Sequence, residues 1–477
     1  MHRARLIASL ALSVVACDPG ASGGGGAGGA GGSVSGGGGA SLGGYGGVSG
    51  TGGEAGPGGA GGAGGAPAVV FTRYPHDVIR SPFTRSVAER ARAIASASDT
   101  RDDHVFMKVG ASGTVSHNLL FCFAGDSQPD YRLELGASAG ALPTIEHFRL
   151  GVAGTTTPFD RVTLAAEVGR TAAWVLSGAP SPLEQEIAAV NPRFAFVNYG
   201  TNDMEMASSY AAALKPFYTS MSTLLDELEA GGIVPIVTGL NPRGDDAAAA
   251  HWDETYNDVT RGLAEARQLA YISLTVASEP LADQGLLSDG LHGNFYVEAG
   301  GPQPCVFDSN GLAFNYNIRN QASIDALDAV KRSVLDSVEP DEPPPLPLVE
   351  GSGTAADPFV IDRLPFTHAW DTRLGESAID QYACGPQDES GPEIHYRLAA
   401  GLSGRVRAVV LDHEDVDADV HLLTGDLACL ARGDTVAQAT VPADGRVVVD
   451  SYVSASGAQS GEYLLVVAAC TDDAYCQ

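Results

Sequence analysis

Two hydrophobic rhythms divide the chain. Before residue 338, short apolar runs alternate with stretches in which apolar residues recur every three or four positions. Val105–Val109, Phe194–Val197 and Ile233–Val237 read as buried strands, and they run into Gly110, Asn198-Tyr199-Gly200 and Thr238-Gly239. Ser86–Ala95, Pro182–Val190, Tyr210–Ala230 and Tyr256–Leu269 carry helical spacing. Strands alternating with helices predict an α/β fold, a parallel sheet covered by helices on both faces. In such sheets the chemistry sits beyond the carboxyl ends of the strands. An acidic, proline-rich linker is expected at 338–350, and beyond it the rhythm changes. Arg405–Leu411, Ala418–Leu423, Arg446–Val453 and Glu462–Ala468 are short β-rich runs separated by Gly, Asp and Ser, which predicts a smaller all-β sandwich over 351–477.

Composition adds what precedes these domains. The 60 glycines are concentrated near the start, and residues 18–66 are nearly all Gly, Ala and Ser. Such a segment buries too little apolar surface to offset its chain entropy, so a flexible tether is expected. Ahead of it, His2, Arg3 and Arg5 precede the apolar run Leu6–Val15, an export signal. Its end, Val14-Val15-Ala16-Cys17, resembles the lipobox of bacterial lipoproteins. That resemblance implies cleavage before Cys17 and a lipid on its sulfur, so the protein would be anchored to a bacterial membrane and not span it. An ordinary secretory signal with an incidental cysteine is the alternative. No later stretch is long and apolar enough to span a bilayer.

The formal net charge of −30 argues against nucleic acid as a partner and for a self-repelling, soluble surface. Of the 7 cysteines, setting Cys17 aside leaves an even number, which fits disulfides in an exported chain. Sequence alone allows 15 pairings. Proximity favours Cys470–Cys476, and domain membership favours Cys122–Cys305 and Cys384–Cys429. No C-x-x-C pair is present, so zinc is not indicated and neither a metal nor a cofactor is expected.

The candidate chemistry starts from Asp289-Gly290-Leu291-His292, a carboxylate three residues before an imidazole in a loop bracketed by Gly285 and Gly293. At that spacing the carboxylate can turn back onto one ring nitrogen and leave the other free to take a proton. Three serines compete as its nucleophile. Ser112 follows the first strand directly in Gly110-Ala111-Ser112-Gly113; Ser127 ends a Gly-Asp-Ser without a strand before it; Ser138 sits in Gly136-Ala137-Ser138-Ala139-Gly140, a literal G-x-S-x-G after a polar segment.

Gly200-Thr201-Asn202-Asp203 follows the second strand. In order, a Gly-x-Ser after the first strand, an isolated glycine, Gly-x-Asn-Asp and Asp-x-x-His resemble the SGNH (GDSL-type) hydrolase family, over roughly residues 100–335. The resemblance implies a three-layer α/β/α domain and a serine esterase. It makes Ser112 the nucleophile, His292 its general base and Asp289 the group that orients the imidazole. The oxyanion hole would combine the Ser112 N–H, the Asn202 amide and a glycine N–H; Gly169 is the best candidate, with Gly154 and Gly178 also available. The first motif departs from the family, because Ala111 stands where its aspartate normally does.

A serine hydroxyl is a poor nucleophile near neutral pH and needs a hydrogen-bonded base, and the tetrahedral oxyanion needs preorganised donors. Taken singly, an Asn-Asp after a strand is more often a turn or cap, and a loop histidine is more often merely exposed. Together, in this order, they favour a hydrolase site.

The C-terminal run Asp415–Leu423 and the closing Gly461–Val467 resemble the bacterial pre-peptidase C-terminal type of β-sandwich. Its alternating aspartates read as a solvated strand face and not as a calcium site. Trp174, Trp252 and Trp370 read as packing residues, His117 and His251 as surface residues, and Lys108 has no account within a buried strand. The expectation is an exported, lipid-anchored serine esterase acting on a small ester or an acetylated polysaccharide through an acyl-enzyme, its only membrane contact the lipid. The alternative is a non-catalytic surface-binding lipoprotein on a decayed hydrolase fold.

Overall fold

The computed structural model describes residues 71–298, 300–341, 346–471 and 474–476; the expected signal, Cys17 and the glycine-rich tether lie outside them. The first half is an α/β/α domain. Helix α1 (Arg85–Ala95) leads into strand β1 (Asp102–Gly110), then α2 (Ser112–Val115), α3 (Leu142–Arg149), α4 (Ala172–Val175) and α5 (Pro182–Val190). Strand β2 (Pro192–Asn198), α6 (Tyr210–Ala230), β3 (Val234–Thr238), α7 (Ala247–Arg267), β4 (Ala270–Ile272) and α8 (Leu274–Ser278) continue the alternation. A small ribbon, β5 (Val297–Glu298) with β6 (Gly301–Pro302), precedes the long α9 (Asn315–Val334). Strands β1-β2-β3-β4 pair in that order, all parallel.

The local reasons are legible. Residues Val105–Gly110 of β1 are buried without alternation, as a parallel strand covered on both faces must be. Helix α5 starts on a capping box: Ser181 accepts from the Glu184 N–H, the Glu184 carboxylate accepts from the Ser181 N–H, and Pro182 takes the first turn. Ser209 and Asp246 cap α6 and α7 by accepting from the Ala212 and Ala249 N–H groups. Lys108 is buried in β1 because its ammonium donates to the Phe159 carbonyl at 2.9 Å and lies 4.5 Å from the centre of the Phe121 ring.

The second half is a β-sandwich. Its strands are β7 (Phe359–Ile361), β8 (Phe366–Asp371), β9 (Glu393–Leu398), β10 (Gly404–Asp412), β11 (Ala418–Leu423), β12 (Cys429–Gly433), β13 (Val436–Val441) and β14 (Arg446–Ser451). A short ribbon, β15 (Val453–Ser454) with β16 (Gly457–Ala458), and β17 (Glu462–Ala469) complete it. One sheet runs β13-β10-β17-β8 and the other β12-β11-β14-β9-β7, and alternate residues of both fill a shared apolar core.

The sandwich docks on α7. Ala369, Val409, Leu411, Leu464 and Val466, on the outer face of its four-stranded sheet, join the core of the α/β domain. The seam is also polar: Arg407 donates to Thr255 at 2.7 Å and stacks 3.5 Å from the centre of the Trp252 ring, Arg261 donates to Thr367 at 3.2 Å, and Lys215 meets Asp412 at 2.6 Å. Helix α7 is therefore buried nearly all round from Trp252 to Arg267, although its sequence is amphipathic. His251, expected at the surface, packs against the chain's last disulfide, with Nε2 at 3.4 Å from the Cys470 sulfur. The disulfides are Cys122–Cys305, Cys384–Cys429 and Cys470–Cys476, with Cα separations of 5.8, 5.7 and 5.8 Å. Among the described residues no helix is long and apolar enough to cross a membrane.

Candidate active site

The polar motifs converge at the carboxyl ends of β1, β2 and β3. Gly110 closes β1 against the start of α2: a Cβ there would lie 2.1 Å from Thr114 Oγ1 and 2.7 Å from the Asn198 carbonyl oxygen. Only glycine lets the chain turn so tightly, and the turn delivers Ser112 to the top of the sheet.

The Asp-His loop is folded on itself. The Leu287 N–H donates to the His292 carbonyl at 2.7 Å, and Gly290, at φ +69°, leans on Gly244 and Asp245 beyond β3. Within the loop Asp289 Oδ1 accepts from the Leu291 and His292 backbone N–H groups at 2.9 and 3.0 Å, and Oδ2 lies 2.7 Å from His292 Nδ1. His292 Nε2 lies 2.9 Å from Ser112 Oγ. Partial burial pushes the Asp289 carboxyl up, but the hydrogen bonds from the loop backbone and the His292 ring outweigh it and hold the group at about 2. Asp289 is thus ionised throughout the neutral range and can hold the Nδ1–H tautomer of His292. Nε2 is then left as the acceptor for the serine proton.

A cleft of about 150 Å³ opens on this pair, lined by Ser112, Gly169, Asn202, Asn241, Leu291 and His292. Gly169 reaches it because residues 165–167 run beside the end of β1, with Gly110 N–H donating to the Ala165 carbonyl and Glu167 N–H to the Gly110 carbonyl. Gly169 takes φ +77°. Gly154 faces Arg161 and Gly178 faces Pro180, and neither lines the cleft. Asn202 Nδ2 donates to the Arg170 carbonyl at 2.9 Å, so the two candidate donor loops are tied together. Buried Asp203 ties them a second time, accepting from Ala172 N–H at 2.8 Å and Gly200 N–H at 3.0 Å.

The competing serines are elsewhere. Ser127 donates to Asp160 at 2.8 Å, a partner that also receives Thr157. Ser138 is buried in the Gly136–Ala141 turn beside Asp325. Among the described residues neither has an imidazole partner. Three further residues at this site carry no sequence motif: Asn198 in the cleft wall, whose amide donates to the Thr238 and Gly239 carbonyls at 3.2 and 2.8 Å, and, behind the wall, Tyr316 and Arg319 of α9, both bonded to the Gly113 carbonyl. The place of Tyr316 and Arg319 depends on α9 returning to the sheet, which local spacing does not signal.

Residues 109–294 match the model of the GDSL-like Lipase/Acylhydrolase family, a span that contains the whole Ser112–His292–Asp289 constellation. Among solved structures the chain is similar to a GDSL-like lipase from Bacteroides thetaiotaomicron, at 12% identity over 50% of this chain and 96% of that one, with a TM-score of 0.29. A catalytic variant of an acetylxylan esterase from Geobacillus stearothermophilus matches at 14% identity over 46% and 93%, with a TM-score of 0.27. A periplasmic inhibitor of g-type lysozyme from Aeromonas hydrophila matches at 16% over 22% and 82%, with a TM-score of 0.14. No match was found among curated proteins.

Proposed function

We propose that the protein is an exported serine esterase that hydrolyses carboxylic esters, acetyl groups on polysaccharide among them, through an acyl-enzyme. The observation that carries this reading is the unbroken line Asp289–His292–Ser112, at 2.7 and 2.9 Å, opening into a cleft. In the first step Ser112 Oγ adds to the ester carbonyl as its proton passes to His292 Nε2, and the carbonyl electron pair moves onto oxygen. The oxyanion is met by the Ser112 N–H, the Gly169 N–H and the Asn202 amide. The tetrahedral species collapses, the C–O bond to the alcohol breaks, and His292 returns the proton to the leaving oxygen. Water, activated by the same imidazole, then releases the acid. The absent motif aspartate does not enter these steps, since Ala111 needs only to let its carbonyl receive the Thr114 and Val115 N–H groups. The small volume of the cleft supports short acyl groups.

The same proposal takes residues 1–17 as a lipoprotein signal, 18–66 as a tether, 67–337 as the catalytic domain, 338–350 as a linker and 351–477 as an accessory sandwich. Disulfides support export. A fluorophosphonate probe tests the chemistry: covalent labelling at Ser112, lost in Ser112→Ala, is expected, and no labelling of folded protein would favour a binding protein instead. Metabolic labelling with a palmitate analogue tests the anchor, with loss expected in Cys17→Ala.

A further inference from the structure

Arg319 stands one layer behind the cleft wall and is 3% exposed. Its Nη1 donates to the Gly113 carbonyl at 3.4 Å, its Nη2 donates to Asn198 Oδ1 at 3.0 Å, and its Nε is buried without a hydrogen-bond partner. A Cβ on Gly113 would sit 3.0 Å from Nη1, so the guanidinium lies directly against the residue that follows the candidate nucleophile. Both of its acceptors, Gly113 and Asn198, line the cleft.

What sets this arginine apart is its missing counter-ion. Arg73, Arg193, Arg243, Arg261 and Arg267 are equally buried, and each meets a carboxylate within 3.4 Å. Arg407 lacks such a contact but covers the Trp252 ring and feels Glu254. Around Arg319 the described residues offer neutral oxygens and the Tyr316 ring, 5.8 Å from its Cζ, and no carboxylate. Burial pulls its pKa below the ordinary guanidinium value, yet a guanidinium still stays charged. A buried charge left without a partner is costly, and a fold retains one where the charge is used.

We propose that Arg319 is a positioning residue for acyl transfer, its missing counter-charge supplied by the oxyanion that forms when Ser112 Oγ adds to the ester carbonyl. It touches no reacting atom. It acts through Gly113 and Asn198, fixing the turn after Ser112 and holding a positive field behind the oxyanion in a low-dielectric site. The field costs no reorganisation at the moment of reaction, and because ester substrates are neutral it favours the transition state over bound substrate.

The inference rests on the esterase reading, and one experiment separates their failures. Wild type, Arg319→Gln and Arg319→Lys are compared in the full chain for kcat and KM on a short-chain nitrophenyl ester, fluorophosphonate labelling rate and Tm. Expected for Arg319→Gln is a kcat lower by roughly tenfold to a hundredfold, less than the 10²–10³ lost with a direct oxyanion donor. KM should stay within about twofold, since uniform binding is untouched. Labelling should slow in parallel, and Tm should hold or rise, because an unpaired buried charge has been removed. Arg319→Lys, which keeps the charge and loses the fork, should recover most of the kcat. If Arg319→Gln does not fold, the lysine variant decides alone: kcat near wild type supports the proposal, and a hundredfold loss at unchanged Tm overturns it. A glutamine variant with wild-type kcat, or with kcat and Tm lost together and unrescued by lysine, also overturns it while leaving the esterase reading intact. A folded wild type that neither hydrolyses the ester nor takes the probe overturns both.

Discussion

Two regions of this molecule gather ionisable side chains, one beside a cleft and the other beneath a strap. At the sheet rim, Ser112, His292 and Asp289 are linked in sequence and half exposed, with side-chain exposures of 40% and 46% for His292 and Asp289. On the outer face of the five-stranded sheet, Asp419, Asp450 and Glu393 stand in register across β11, β14 and β9. A strap carrying Tyr382 and Glu389, pinned by Cys384–Cys429, covers them. Tyr382 donates to Asp450 at 2.7 Å, Arg432 donates to Glu389 at 3.0 Å and also to Asp419, and His421 stacks 3.8 Å from the Tyr382 ring. Burial and the neighbouring Glu393 and Glu389 raise Asp450 to about 9, a larger displacement than that of Asp289.

By perturbed ionisation alone the sandwich would be the better candidate site. Access, and a serine next to an imidazole, favour the sheet rim. The aspartates expected on a solvated strand face divide accordingly: Asp415 is exposed, whereas Asp419 is buried against Arg432.

Substitutions in the two regions should separate cleanly, the rim responding in activity and the sandwich in stability. Ser112→Ala should lower ester hydrolysis by at least about 10⁴-fold with Tm unchanged, and adding His292→Ala should cost little more, because the pair acts as a unit. Steady-state kinetics on purified protein checks both, and activity surviving in Ser112→Ala but lost in Ser138→Ala would move the site. Next in size, Asn202→Ala should cost about 10²–10³ in kcat if its amide meets the oxyanion.

In the sandwich the effects should fall on stability. Arg432→Met leaves Glu389 and Asp419 buried without their cation, and about 3–5 kcal/mol of stability should be lost, read by denaturant unfolding, with kcat per folded molecule unchanged. A fall in kcat at wild-type stability would show that the sandwich takes part in the chemistry.

The smallest effect is a pH slope. Asp450 holds its proton in the fold to about 9, whereas an unfolded aspartate releases it near 3.9. Its contribution is therefore full below about pH 4 and declines as pH rises through 9. His421, held down to about 3 by burial and then by Arg432, has the opposite sign and weakens the fold as pH falls below about 6.5. Melting temperature should accordingly decline from pH 7 to 9.5, and Asp450→Asn should flatten that limb. An unchanged slope in the variant would assign the decline to other groups.

Much of the fold was legible because local rules and tertiary context agree. The α5 and α6 spans, Pro182–Val190 and Tyr210–Ala230, and the β11 span, Ala418–Leu423, follow from capping, apolar spacing and turn residues that the packing leaves undisturbed. Strands β8 and β9 were not legible: Thr367 is buried at the seam, His368 inside the sandwich against Tyr396, and Glu393 and His395 under the strap, and such polar residues read as loop in sequence. The polar face of α7 misleads in the same way, since it faces the sandwich and not water.

The sequence by itself determined the alternation of strands and helices, the switch to a β-sandwich, and the Asp-x-x-His and Gly-x-Asn-Asp motifs, all features carried by residues close in the chain. Which serine meets the imidazole, which glycine reaches the cleft, and that an arginine without a counter-ion stands behind it emerge from the three-dimensional fold. Those depend on residues up to about two hundred positions apart, such as Ser112 and His292, whose separation is 180. Their meeting is fixed by the register of the sheet and the return of α9, for which one-dimensional spacing carries no signal.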